Sequence, residues 1–429
     1  MKKSKKILLG LSPIAAILPA VAVSCGNNDE SNISFKEKDI SKYTTTNANG
    51  KQVVKNAELL KLKPVLITDE GKIDDKSFNQ SAFEALKAIN KQTGIEINNV
   101  EPSSNFESAY NSALSAGHKI WVLNGFKHQQ SIKQYIDAHR EELERNQIKI
   151  IGIDFDIETE YKWFYSLQFN IKESAFTTGY AIASWLSEQD ESKRVVASFG
   201  GGAFPGVTTF NEGFAKGILY YNQKHKSSKI YHTSPVKLDS GFTAGEKMNT
   251  VINNVLSSTP ADVKYNPHVI LSVAGPATFE TVRLAANKGQ YVIGVDSDQG
   301  MIQDKDRILT SVLKHIKQAV YETLLDLILE KEEGYKPYVV KDKKADKKWS
   351  HFGTQKEKWI GVAENHFSNT EEQAKINNKI KEAIKMFKEL PEDFVKYINS
   401  DKVLKDGNKI DNVSERLEAI ISAINKAAK

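Results

Sequence analysis

From residue 62 onward, short apolar runs alternate with stretches of helical periodicity, and this alternation constrains the fold more than any other feature of the chain. The runs lie at 65–68, 119–123, 148–154, 195–199, 268–274 and 291–295. Helical patterns fill the gaps at about 78–92, 105–117, 127–145, 171–188, 207–224, 244–258 and 276–288. Neighbouring strands separated by a helix run parallel, because a tight hairpin is what makes an antiparallel pair. The body is too long for one domain of roughly 100–200 residues, so two doubly wound α/β lobes are expected. A late strand is expected at 359–363 and further helices at about 370–389 and 411–428. Residues 331–358 are dense in charge, from Lys341 to Lys348 above all, and read as a solvated loop or hairpin insertion.

The N-terminus has a different logic. Lys2, Lys3, Lys5 and Lys6 precede an apolar run at 7–23 that Pro13 and Pro19 interrupt. The run is short for a membrane span and has the layout of a secretory signal, residues 1–24. It ends Ala22-Val23-Ser24-Cys25-Gly26, which resembles a bacterial lipoprotein cleavage site. Cys25 is the sole cysteine, so an internal disulfide and a cysteine metal cluster are excluded. Two acyl chains on Cys25 would hold the protein stably at a bilayer. Residues 25–60, polar and without apolar period, read as lipid anchor and flexible tether. The expected location is the extracytoplasmic face of the cell membrane. Of the 59 basic side chains four belong to the signal, which leaves 55 against 54 acidic ones. Such a balance gives no global attraction for nucleic acid.

The richest segment is Thr68 to Phe83, where an apolar run gives way to a polar loop and a helix start. Ligand sites of α/β proteins collect at that kind of junction. Phe78, Ala82, Ala85, Leu86 and Ile89 form the core stripe of the helix. Phe83 lies about 140° round from Phe78 at 100° per residue, and Asn79 and Gln80 share its side. That side is either a second packed surface or a ligand surface. The acids Asp69, Asp74 and Asp75 beside it favour the ligand. One or two complement the helix dipole, and a third is free to accept hydrogen bonds from hydroxyls.

Other constellations are less specific. The glycines at 200, 202 and 206, with Pro205 between them, miss the spacing of a dinucleotide fingerprint and read as a tight turn near a cleft. Phe242, in Ser240-Gly241-Phe242-Thr243-Ala244-Gly245, either caps the core or projects into the cleft opposite Phe83. Asp296 ends a strand. It would start a calcium loop only with Gly and Glu where Met301 and Arg307 stand, so a ligand acceptor is the better reading. Lys314 follows an extended run and is either solvated or paired with a cleft carboxylate or a ligand oxygen. No nucleophile–base set, metal-spaced histidines or phosphate cradle is visible. No enzyme activity, metal or cofactor is therefore expected, and a free nucleoside fits better than a nucleotide.

Segments 68–83, 200–214, 294–299 and 309–314 resemble the basic membrane protein family, over about residues 62–365. That family comprises lipid-anchored substrate-binding proteins of nucleoside ABC transporters. The resemblance implies a type I periplasmic-binding fold, with lobe I at 61–170 and 298–334, lobe II at 171–297 and 335–390, and a helical extension at 391–429. It implies a purine base held between Phe83 and Phe242, with Gly245 on the same loop as the latter. Asp69, Asp74, Asn79, Gln80 and Asp296 would hold base and ribose, and Lys314 would be the cleft lysine. The implied partners are a nucleoside and an ABC permease, with the protein itself a monomer. A sugar receptor of the same fold, a nucleoside hydrolase using Asp74 and Asp75, and a surface adhesin are the rival readings.

Overall fold

The computed structural model describes residues 34–429 apart from 103–104, 228 and 302–303. The expected signal, Cys25 and the first part of the tether lie outside the described residues.

The described part of the tether is not free. Residues 34–62 form a strap containing an antiparallel hairpin, β1 (Thr44–Thr46) and β2 (Gln52–Val54). Ile40, Val54 and Leu59 are buried, and Phe35 packs edge-on against Tyr321 at 5.1 Å. The Lys38 N–H donates to the Tyr321 hydroxyl at 2.8 Å. These apolar residues are too widely spaced to show a period, which is why the sequence suggests a tether.

Lobe I follows as β3 (Val65–Thr68), α1 (Phe78–Thr93), β4 (Asn98–Val100), α2 (Phe106–Ser115), β5 (Ile120–Asn124), α3 (His128–Arg145), β6 (Lys149–Ile153) and β7 (Phe164–Phe169). The chain then crosses to lobe II: α4 (Ile171–Ser187), β8 (Val195–Gly200), α5 (Pro205–Lys224), β9 (Tyr231–His232), α6 (Glu246–Leu256), β10 (Val269–Val273), α7 (Ala277–Ala285), β11 (Tyr291–Asp296) and β12 (Ile308–Lys314). It returns with α8 (Ile316–Leu329), which packs on α1, and with β13 (Trp349–Gly353). It crosses a third time to β14 (Ile360–Val362), then runs through α9 (Thr370–Lys388), α10 (Glu392–Asn399) and α11 (Val413–Ala427).

The sheet orders are β13-β7-β6-β5-β3-β4 and β14-β12-β11-β10-β8-β9. Every pairing in them is parallel except β12 with β14. The central strands are buried on both faces, as helix-covered parallel sheets require, so they read as continuous apolar runs. This is the two-lobed type I periplasmic-binding architecture.

Two expected boundaries shift. Residues 308–314 fall within the lobe I that the sequence leads one to expect, but β12 continues the lobe II sheet beside β11, and of the segment 298–334 only α8 packs on lobe I. Residues 335–390 are expected in lobe II, but β13 pairs with β7 of lobe I, Trp349 opposite Tyr165. The charged insertion is therefore no hairpin: residues 331–348 are a largely exposed loop, as one of the two readings has it, and 349–353 form a strand of the lobe I sheet. The Asp326 carboxylate gathers the start of the loop, accepting the N–H groups of Tyr338, Val339 and Val340 and the Tyr335 hydroxyl. The surrounding lysines hide the strand in the sequence.

Candidate ligand-binding site

A cleft between the lobes encloses about 680 Å³ with its open mouth included, within the usual range for small-molecule sites. It lies beyond the carboxyl ends of both sets of strands, where open α/β sheets bind ligands.

On lobe I, the loop after β3 leads into α1. The Asp75 carboxylate accepts the N–H groups of Ser77, Asn79 and Gln80 at 2.9, 3.0 and 3.1 Å. It thereby satisfies the open first turn of the helix. The hydroxyl of Ser77, at the N-cap, is left to donate across the cleft to Asp296 Oδ2 at 2.6 Å. Phe78, first residue of the helix, overhangs the end of the sheet and lines the cleft. Buried Asn79 donates to the Glu70 carbonyl and accepts from the Asn124 amide, both at 2.8 Å. Asp69 accepts the Lys127 N–H at 3.1 Å, and burial lifts its carboxyl to about 7.

Two aspartates face each other at strand ends. Asp154 follows β6 and Asp296 ends β11, both at positive φ, 67° and 65°. This region is uncommon for residues with a Cβ but better tolerated by aspartate than by most. Between them stands Lys314, the last residue of β12, only 3% exposed. Its ammonium is 2.6 Å from Asp154 Oδ2 and 4.0 Å from Asp296 Oδ1. It also lies 5.2, 5.2 and 5.6 Å from the ring centroids of Phe78, Phe210 and Phe169. Burial raises Asp296 to about 6, outweighing the opposite pull of Lys314 and Ser77. The floor of the cleft is thus a desolvated cation between two acids, ringed by aromatic faces.

Of the residues singled out in the sequence, Asp69, Asn79, Phe242, Asp296 and Lys314 line this cleft. Asp74, Gln80, Phe83 and Gly245 do not. Asp74 is exposed. Gln80 accepts the Lys76 N–H at 3.1 Å and so holds its own loop. Gly245 is exposed at the start of α6. Phe83 packs against the lobe I core, with the Lys87 ammonium 5.6 Å from its ring centroid. The aromatic wall on lobe I is therefore Phe78. The core stripe claims Ala82, Ala85, Leu86 and Ile89, but its first member protrudes beyond the sheet, and helix periodicity cannot show where the sheet ends. Asp75, one of the three acids noted before the helix, lines the cleft too, and so do Phe126, Asp154, Phe204 and Phe210, to which the sequence reading gives no ligand role. Asp154 carries the same signal as Asp296, an acid closing an apolar strand.

The sequence profile of the Bmp family, described as ABC transporter substrate-binding protein PnrA-like, matches residues 62–393. The chain belongs to this family. Basic membrane protein A of Borreliella burgdorferi is 28% identical over 261 residues, 60% of this chain and 70% of that protein. The ABC transporter nucleoside-binding protein BmpA of Lactococcus lactis subsp. cremoris is 25% identical over 335 residues, 74% of this chain and 83% of its own. Among solved structures, an ABC transporter solute-binding protein from Aeropyrum pernix K1 shares the fold, with a TM-score of 0.59 at 20% identity over 86% of this chain and 99% of that one. As a Bmp family member the chain is an ABC transporter substrate-binding protein. The family match ends at residue 393, so α11 lies beyond it.

Proposed function

We propose that this protein captures nucleosides, purine nucleosides foremost, in the interlobe cleft and delivers them unchanged to an ABC permease. We further propose that it works as a monomer on the extracytoplasmic face of the membrane, anchored through acylated Cys25. The observation that carries the ligand class is the pairing in one cleft of an aromatic wall from each lobe, Phe78 and Phe242, with Asp154, Asp296 and Lys314. Rings suit a flat base, and base–aromatic stacking is worth ~1–3 kcal/mol per base. Carboxylates suit ribose hydroxyls, and each buried acceptor left unpaired costs ~1–3 kcal/mol. Together they disfavour a sugar without a base and a base without a sugar. The Lactococcus relative's name, nucleoside-binding protein, supports the same class.

Calorimetric titration of residues 26–429, refolded to strip any bound ligand, with adenosine, guanosine, inosine, uridine and ribose tests this reading. Purine nucleosides are expected to bind tightly and be recovered intact, with no response to ribose. Phe78→Ala is expected to weaken binding roughly tenfold or more. Ribose binding as well as adenosine would replace the nucleoside reading by a sugar one, and free base in the cell would point to hydrolysis.

A further inference from the structure

Phe126 follows β5 on lobe I, and Phe204 immediately precedes α5 on lobe II. Their ring centroids are 5.4 Å apart and their planes differ by 6°, a parallel stack that bridges the two lobes at the edge of the cleft. Phe204 also lies 5.7 Å from Phe242, so the lobe II wall and the bridging ring touch. The glycine turn at 200–202 explains why these rings can lie where they do. A Cβ on Gly201 would come within 2.5 Å of the Phe242 ring, and one on Gly202 within 2.5 Å of the Phe204 ring. Each ring lies against a glycine, and any side chain there would displace it.

The lobes also meet across the cleft through polar contacts. Besides the Ser77–Asp296 bond, the Ser297 hydroxyl and the Gln299 amide donate to the Lys76 carbonyl at 3.0 and 3.4 Å. Hydrogen bonds of this kind are readily exchanged for water when lobes part. A stack of two rings is not, because separation exposes both apolar faces at once.

We infer that Phe126 and Phe204 form an aromatic gate that closes behind the ligand, with Gly202 as the seat of Phe204. The gate sets how fast ligand leaves and limits how long a ligand can be enclosed. The ligand's identity rests on the nucleoside reading above; the gate itself does not. Stacking energies of this kind correspond to about a two- to tenfold change in rate. The stack must part before an enclosed ligand can leave, so the change falls on dissociation.

The test is stopped-flow measurement of the purine nucleoside that binds best, with wild type, Phe126→Ala, Phe204→Ala and the double variant. Each single change is expected to speed dissociation about two- to tenfold, with association altered less than about twofold. The double variant should be no faster than the faster single one, since either change removes the same stack. Phe126→Tyr should keep the wild-type rate and Phe126→Leu should not. A nucleoside carrying a bulky dye should be admitted better by the alanine variants. Additive effects, an effect on association alone, or full rescue by leucine would overturn the gate. Should wild type bind no nucleoside, the ligand reading is what has failed. The gate is then judged by single-molecule energy transfer between dyes on Glu107→Cys and Lys264→Cys in a chain carrying Cys25→Ser. A smaller closed fraction in Phe204→Ala supports it, and an unchanged one overturns it.

Discussion

Asp296 is asked to be a carboxylate where carboxylates are costly. In the unfolded chain it releases its proton near pH 4, and in the fold near pH 6, because burial outweighs Lys314 and Ser77. Between those values the folded state holds more protons than the unfolded one, so this residue's contribution to stability is full below about pH 4 and lost as pH rises through about 6. Buried histidines work in the opposite direction. His128, held at about 3, and His232, at about 4, withdraw stability as pH falls below about 6.5. The Asp296 effect is therefore read as a difference. Relative to Asp296→Asn, wild type should be less stable at pH 7.5 than at pH 4.5, measured by urea unfolding; a difference that does not vary with pH would contradict the assignment. At this scale the sequence was legible wherever function coincides with a strand end. Asp296 and Lys314 stood out because each closes an apolar run, and Asp154 carries the same signal. Phe83 misled because an aromatic off the core stripe can pack under its own helix as readily as face a ligand.

The loop-to-helix junction before α1 ties local structure to the cleft. Asp75 binds three N–H groups at the helix start, which frees Ser77 to reach Asp296 in the other lobe. Losing a capping side chain of this kind costs ~0.5–2 kcal/mol. Asp75→Ala should lower stability by about that amount in urea unfolding. It should also weaken ligand binding, because the same turn carries Phe78 and Asn79; full retention of affinity would separate the cap from the cleft. Among elements, the central strands were legible because two-sided burial makes unbroken apolar runs. Four strands of the two large sheets were not. β4 and β9 are only three and two residues long. β7 mixes serine and glutamine into its run, and β13 carries exposed residues at alternate positions behind a lysine-rich stretch. β9 owes its security to a distant helix: Asn425 of α11 accepts from the His232 N–H at 2.9 Å and donates to its carbonyl at 3.0 Å. A side-chain amide thus occupies the edge that another strand could otherwise extend.

The whole molecule is larger than its cleft requires, and the additions are fastened down. Glu212, 1% exposed, lies between Lys172 and Arg416, each at 2.8 Å. Lys216 donates to the carbonyls of Tyr397, Ile398 and Ser400 at the end of α10, and burial draws its ammonium down to about 7. Such a network holds the extension in one register on α4 and α5. Removing one partner of a buried pair costs roughly 3–5 kcal/mol. Arg416→Ala should therefore destabilise lobe II by about that much while leaving nucleoside affinity of the folded protein unchanged; a urea midpoint equal to wild type would show the pair to be dispensable. None of this network was legible, since its charges are scattered along the chain and only folding gathers them. The three crossings between lobes, at 169–171, 314–316 and 353–360, have a mechanical consequence. They define a pivot, and Lys314 sits at it. A rotation of one lobe scarcely moves a point on its axis, whereas a point far out on the lever arm sweeps a wide arc. The ionic floor can therefore stay assembled through the whole stroke and greet an arriving solute ready-made, leaving the work of confinement to groups that travel.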